Sequence, residues 1–583
     1  MHLICKFLFL FVSCNSIKTI TGFGQDWWRY TTIYEIYIRS FMDSNGDGVG
    51  DLKGIAMKLD HFVDLGIETI WISPFFKSPM QDLGYDVSDY MDIDPTYGTM
   101  ADFDQLMEEM RKRGMKLVVD LVINHSSDEH PWFEKSVDRI EPYTDYYVWK
   151  DPKGYDKHGN PIPPNNWLSL FGGCGWKWNE KRKQFYFHQF AEKQPDLNLR
   201  NGDLKAELKN MTKFWFDKGV AGARLDATKH FFEDAKLRDE PLLRPGIRKK
   251  KNLAYGDYDH IYTTDLKEIY EFIHEMRTFV DDHCSTENEE KILVAEAYTD
   301  WKSTMMYYGT KDYRVAHFPF NFQLVRFKTY PRPNELNNII ESWIKEIPEH
   351  GSPNWVTENH DNFRTGNRLG VEFLDILLVT TMTLPGVACI YYGQEIGMVN
   401  SAVRSERIRD PNNDGMNVLQ TRDGERLPMQ WDDSFNAGFS TNSQPWLPIN
   451  PDYWRVNVKA QKEDPNSRYT MFKTLSKLRQ TKTLKFGKFS SYFLSSWVYA
   501  YARQLEGKPT IITILNLSTE TEMIRLNHRI PSLPPLIKVV AASVNAGYRP
   551  GDKILTNPLF PHTVVLRPLS AIVVATQHNA KLD

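Results

Sequence analysis

Eight short apolar runs, spaced by longer segments with helical periodicity, constrain this chain more than anything else in its 583 residues. Residues 33–38, 69–72, 116–122, 222–225, 292–295, 315–318, 355–357 and 387–391 read as strands. Between them Phe103, Leu106, Met107 and Met110 recur at i, i+3, i+4 and i+7 ahead of Gly114, and Leu204, Leu208, Met211 and Trp215 follow a similar spacing ahead of Gly219. Such a pattern makes an amphipathic helix, and the glycine ends it. Alternation of this kind over about 450 residues predicts an α/β fold, a (β/α)8 TIM barrel, whose active site must be built at the C-terminal ends of its strands. A doubly wound open sheet would need a glycine-rich phosphate turn after its first strand, and none follows Ile38.

The alternation breaks twice. About 75 residues rich in Pro, Gly, Trp and Tyr separate the third run from the helix starting near Gly202, too many for an ordinary barrel loop. They are read as a small inserted domain, residues 126–195. After residue 482 short strands such as 495–502, 510–516 and 571–575, with turn residues between them, indicate a C-terminal antiparallel β-sandwich over 483–583. The barrel then occupies 23–125 and 196–482. At the N-terminus Lys6 precedes the apolar stretch 7–14, which has signal-peptide length and is too short to span a bilayer. Residues 1–22 are therefore read as a signal peptide, the protein as secreted, and no membrane span is expected.

A formal charge of −4 gives no electrostatic reason for a nucleic-acid partner, and Arg248-Lys249-Lys250-Lys251 reads as a solvated loop. Cleavage of the signal removes Cys5 and Cys14 and leaves Cys174, Cys284 and Cys389. Cys389 sits in an apolar run and reads as a small core residue, so Cys174–Cys284 is the one disulfide to consider. Sequons occur at Asn124, Asn210 and Asn516, of which Asn210 and Asn516 are the candidates for glycans.

Polar residues at strand exits are the informative ones, because in a barrel they face the substrate. The third strand leads to Asp120 and Asn124-His125, the fourth to Arg224-Leu225-Asp226, the fifth to Glu296 and the seventh to Asn359-His360-Asp361. The loop after the second carries Gly84-Tyr85-Asp86. Any one of these carboxylates alone reads as a helix cap or an ion-pair partner. Together, with His and Arg but without Cys/His at zinc spacing or a Gly-x-Ser-x-Gly elbow, they fit glycosidic cleavage.

The blocks Asp120-Leu-Val-Ile-Asn124-His125, Gly222-Ala-Arg224-Leu-Asp226-Ala227, Glu296-Ala297 and Asn359-His360-Asp361 resemble four ordered motifs of the α-amylase family, glycoside hydrolase family 13. Gln194-Pro195-Asp196-Leu197-Asn198 and Leu427-Pro-Met-Gln-Trp431-Asp432 are similar to its oligo-1,6-glucosidase and maltase branch, and Asp26-Trp-Trp28 through Ile55 to insect maltases. The resemblance implies Asp226 as nucleophile, Glu296 as acid/base and Asp361 as stabiliser of the distorted sugar. It further implies that Asp86 pairs with Arg422 to close the pocket, with Arg426 nearby, His125 and His360 on the same glucose, and Tyr85 and Phe190 as aromatic walls. Arg224, two residues before Asp226 on the same strand face, can hold that carboxylate ionised. Asn124 falls within this cluster, so its sequon is expected to be buried. No cofactor is implied for catalysis, and the expected partner is a small oligosaccharide. Ala227 is small, which in this branch goes with α-1,4 rather than α-1,6 cleavage and favours maltose-type substrates or sucrose. Ala223, Thr228-Lys229 and Glu358 depart from the family pattern.

Asp43, Asn45, Asp47, Val49 and Asp51 place oxygen ligands at every second position, with Gly48 for a sharp turn, as a structural calcium loop would. The competing reading is a polar Asx-turn loop without an ion. For the whole chain, hydrolysis competes with transglucosylation at the same site and with a non-catalytic binding role like that of the amino-acid transporter heavy chains.

Overall fold

The computed structural model describes residues 26–244, 253–286, 288–412, 421–531, 533–556 and 563–576. The segment 1–22 read as a signal peptide, with its two cysteines, and the basic run 248–251 lie outside these residues. Eight parallel strands form one sheet: β1 (Thr32–Ile36), β2 (Thr69–Ile72), β3 (Lys116–Leu121), β4 (Gly222–Leu225), β5 (Ile292–Ala295), β6 (Phe318–Pro319), β7 (Asn354–Val356) and β8 (Val387–Tyr391). Their order, β6-β5-β4-β3-β2-β1-β8-β7, is that of a (β/α)8 barrel whose ladder runs from β6 round to β7.

The ring is closed between those two strands by a side chain. Fully buried Asn354 donates from Nδ2 to the Pro319 carbonyl at 2.7 Å and accepts the Asn321 N–H on Oδ1 at 2.7 Å. One amide thus supplies the donor and acceptor that a strand backbone supplies elsewhere. The sixth strand is shorter than the expected 315–318 because Val315 and Ala316 spend their amides on the carbonyls of Tyr308 and Tyr307.

The two helices expected from apolar spacing run over Met100–Lys112 and Gly202–Asp217, and all eight residues that defined them are buried. Thr99 and Asp102 form a capping box on the first and Asn201 caps the second. After β3 the chain builds an antiparallel sheet of Trp149–Lys150, Gln184–Phe187 and Trp176–Asn179 around Trp167, Trp176, Phe185 and Phe187. It returns to the barrel through a bridge between His125 and Asp196.

From Lys488 onward a six-stranded antiparallel sheet and a two-stranded one, Glu522–Ile524 with Val564–Leu566, enclose a second core that includes Val498, Ile512, Ile537, Leu566 and Val574. Buried Arg503 ties this domain to the barrel by donating to the Thr383 carbonyl as well as to that of Gly487.

Two expectations are corrected here. Asn516 is fully buried and its amide nitrogen donates to the carbonyls of Glu520, Leu566 and Arg567, so no nitrogen is left exposed for a glycan, whereas Asn210 is exposed on its helix. Cys174, Cys284 and Cys389 are all free, which removes the 174–284 disulfide. In the loop after β1, Asp43 has its acceptor positions filled by the amides of Asn45, Gly46 and Gly48 and by the Ser440 hydroxyl. Asn45 and Asp47 accept the amides of Asp47 and Val49, and Asp51 accepts those of Ser44 and Gly54. These bonds make a run of Asx turns, and among the described residues no three His, Cys, Asp or Glu side chains are grouped as they would be around a metal ion. No helix among the described residues is long and apolar enough to cross a membrane.

Candidate active site

The centre of the site is carried by β4. Gly222 lies so close to β5 that a Cβ there would meet Ile292 Cγ1 at 2.5 Å, which lets the two strands pack with their polar exits side by side. Two residues on, Arg224 faces Asp120 of β3 and Val294 of β5 in register. Its Nη1 donates to both Asp120 oxygens at 2.7 and 2.9 Å and to Asp226 Oδ1 at 2.5 Å, and its Nη2 lies 3.7 Å from Glu296 Oε2. The guanidinium stacks over Trp71 and is 1% exposed, so three carboxylates share one cation out of water. Burial and the charge of Asp226 push Asp120 up to about 7 against the pull of Arg224.

Glu296 is fixed by the backbone just beyond Asp226. Ala227, at φ 50, donates its N–H to Glu296 Oε2 at 2.6 Å, and Thr228 donates its amide and hydroxyl to the Glu296 carbonyl. Burial, with Asp226 and Asp361 adding to it, pushes Glu296 up to about 7 although Arg224 opposes the shift. A proton is thereby available on this carboxyl near neutral pH.

Asp361 stands in the opposite electrostatic setting. Burial would raise it, but His360, Arg422 and Arg426 hold it well below the usual carboxylate range. Arg422 Nη1 and Arg426 Nη2 donate to its Oδ1 at 2.9 and 3.0 Å. His360 is clamped between Glu35 Oε1 on Nδ1 at 2.6 Å and the Tyr85 hydroxyl on Nε2 at 2.8 Å, with the Tyr85 ring stacked on it at 5.6 Å. His125 contacts the Tyr85 carbonyl and Gln194 Nε2, is lowered to about 4 by burial, and packs its ring 5.1 Å from Phe190. Asn124, beside it, is 2% exposed.

One expected pair does not form. Asp86 accepts from the Ser78 hydroxyl and from the amides of Gln81 and Asp82, so it holds the loop that presents Tyr85 rather than reaching the pocket. Arg422 instead binds Asp410 at 2.7 Å and lies 3.5 Å from Asp82. Burial pushes Asp82 up to about 7 despite Arg422, whereas Arg422 overcomes burial at Asp410 and holds it at about 2. Asp82 also accepts from Gln194 Nε2 at 3.1 Å. Asp82 and Asp410 are the residues the sequence reading missed, as are Phe171, His230 and Tyr298, whereas Lys229 it noted only as a departure from the family pattern. All of them except Asp410 line the same cavity of about 350 Å³ with Asp226, Glu296 and Asp361. Asp82 carried a signal, standing three residues before Tyr85 in the same loop. Asp410, in Arg409-Asp410-Pro411, carried none.

A pocket of this size, with apolar walls and two carboxyls of opposed protonation preference near one arginine, suits acid-assisted displacement at a sugar carbon. Residues 35–487 match the model of the alpha-amylase catalytic domain, and the chain belongs to the alpha-amylase family. Maltase 1 of Drosophila virilis is 42% identical over 94% of this chain and 87% of its own length, and a salivary alpha-glucosidase of Anopheles gambiae is 41% identical over 91% of each. An amino acid transporter heavy chain of Homo sapiens is 38% identical over 96% of this chain and 80% of its own. Among solved structures the alpha-glucosyl transfer enzyme XgtA superposes with a TM-score of 0.82 at 32% identity, covering 94% of this chain and 99% of that one. Within the family the chain stands among the enzymes of α-glucosidase type.

Proposed function

We propose that the protein is a secreted, retaining, exo-acting α-glucosidase that releases glucose from the non-reducing end of maltose-type sugars or sucrose. The observation that carries this reading is the polarity of the pocket: Arg224 grips Asp226, Glu296 is pushed up to about 7, and Arg422 with Asp82 and Asp410 stands beside Asp361. Asp226 attacks the anomeric carbon and displaces the glycosidic oxygen, which takes its proton from Glu296. Glu296, now ionised, removes a proton from water as water displaces Asp226. Arg426 and Arg422 keep Asp361 anionic beside the sugar as positive charge develops on its ring. The small Ala227 leaves room next to the nucleophile, which supports α-1,4 over α-1,6 linkages. The apolar N-terminal run and the salivary relative support secretion.

Glucose release from maltose, sucrose and isomaltose in parallel tests this reading, with maltose or sucrose expected to be preferred; no release from any of them would refute it. The same assay reads the acid. Glu296 acts protonated, so kcat/KM is expected to hold below its titration and to fall tenfold per unit above about 7. A profile flat to pH 9 would exclude Glu296 as the acid. Replacing Asp82 with Ala removes a carboxyl at the closed end, and KM for maltose is expected to rise about 10-fold or more, the scale of a charged hydrogen bond. An unchanged KM would remove Asp82 from the pocket's closure. Transfer of the glucosyl group to a second sugar is the competing reaction, supported by the likeness to an alpha-glucosyl transfer enzyme, and product analysis at high sugar concentration separates the two.

A further inference from the structure

Tyr298 lines the cavity two residues beyond Glu296, and loops from four strands converge on it. Its ring stacks on Phe322 beyond β6 with centroids 4.0 Å apart and planes at 7°. Its carbonyl accepts Lys229 Nζ at 3.1 Å from the loop after β4. Its hydroxyl oxygen accepts Nδ2 of Asn359 at 2.6 Å and Nδ2 of Asn362 at 2.8 Å from the loop after β7.

The direction of these last two bonds is not free. The Asp361 amide can only donate, so Asn359 must present Oδ1 to it at 3.1 Å and turn Nδ2 to Tyr298. Asn362 then has to donate from Nδ2 to that same Oδ1 at 2.9 Å, which fixes its amide as well. Both lone pairs of the phenol oxygen are therefore occupied. No described side chain or carbonyl accepts its proton, and burial together with the charges of Asp361 and Glu296 raises the phenol well above its usual range and keeps that proton on.

We infer that the Tyr298 hydroxyl is an obligate hydrogen-bond donor to an oxygen of the leaving sugar, and that it selects for leaving groups carrying such an oxygen. Tyr298 follows the acid by two residues and holds Lys229 of the loop after Asp226, and its contacts with Lys229, Phe322, Asn359 and Asn362 include none with Asp82, Arg422 or Asp410, which sets it against the departing rather than the retained ring. The inference rests on the α-glucosidase reading above and adds the recognition of the leaving group to it.

The test compares Tyr298→Phe with the unaltered protein on two substrates that share the retained glucose, maltose and α-glucosyl fluoride. Fluoride leaves without any sugar oxygen. The ratio of kcat/KM for maltose to that for the fluoride is expected to fall about 10-fold, the scale of one lost hydrogen bond to a buried donor. An unchanged ratio overturns the inference, whether both activities persist or both fall together, since general damage moves both alike. Absence of activity on both substrates in the unaltered protein would instead refute the α-glucosidase reading itself.

Discussion

Asp226→Asn is expected to lower kcat/KM for maltose by about 10^4-fold or more while the protein stays folded, since removing a covalent nucleophile forfeits most of the chemical step. The amide matches the carboxylate in shape and can still accept from Arg224, but its oxygen is too poor a nucleophile to form the glycosyl ester. The fold should survive because Asp120 remains to balance the Arg224 charge with two contacts of its own. Circular dichroism and thermal unfolding check the second half of the prediction. A folded variant that keeps a substantial fraction of the activity would mean that the covalent step lies elsewhere.

Arg224→Met should damage stability as well as rate. The thioether fills the volume under Trp71, yet Asp120 and Asp226 are left buried against each other, and stripping one partner from such a network costs about 3–5 kcal/mol. The loss has a definite pH dependence. Asp120, which burial already raises, would bind its proton more tightly folded than unfolded, so the folded state takes up protons, and a group of that kind destabilises increasingly as pH rises from the unfolded value through the raised one. Denaturant midpoints of the variant and the unaltered protein should therefore lie closer together at pH 5 than at pH 8. A gap that does not widen with pH would mean that Arg224 does not neutralise this pair.

The barrel could be read from the chain because each strand is buried enough to be continuously apolar and each helix shows one buried stripe. The sixth strand was read too long because the amides of Val315 and Ala316 are taken by carbonyls of the preceding turn, a contact that no local pattern announces. Asp226, Glu296 and Asp361 could be placed at one mouth because each follows a strand directly. Asp86 was named over Asp82 because the family resemblance implies it, whereas in this chain the loop folds back on Asp86 and turns Asp82 inward. The sequon at Asn516 states three residues, but its burial follows from a ladder pairing it with Val498 and from carbonyls about 50 residues away, which local sequence reading does not reach. The alternating oxygens after β1 serve an Asx-turn chain and a cation equally well, so the sequence pattern alone left both readings open, and the turn bonds around Asp43 come from amides that no local motif names.

The amide that closes the barrel at Asn354 bears on how such an enzyme can diversify. Along the rest of the ring each strand's register is dictated by its neighbours, so an insertion in one place would be transmitted to the next. At the join between β6 and β7 there is no ladder to transmit it. The segments on either side, which bring Phe322, Asn359 and Asn362 to Tyr298, can change in length or composition while the ladder of β3, β4 and β5 keeps Arg224, Asp226 and Glu296 in register. The surroundings of Tyr298 can drift at this seam without breaking that ladder.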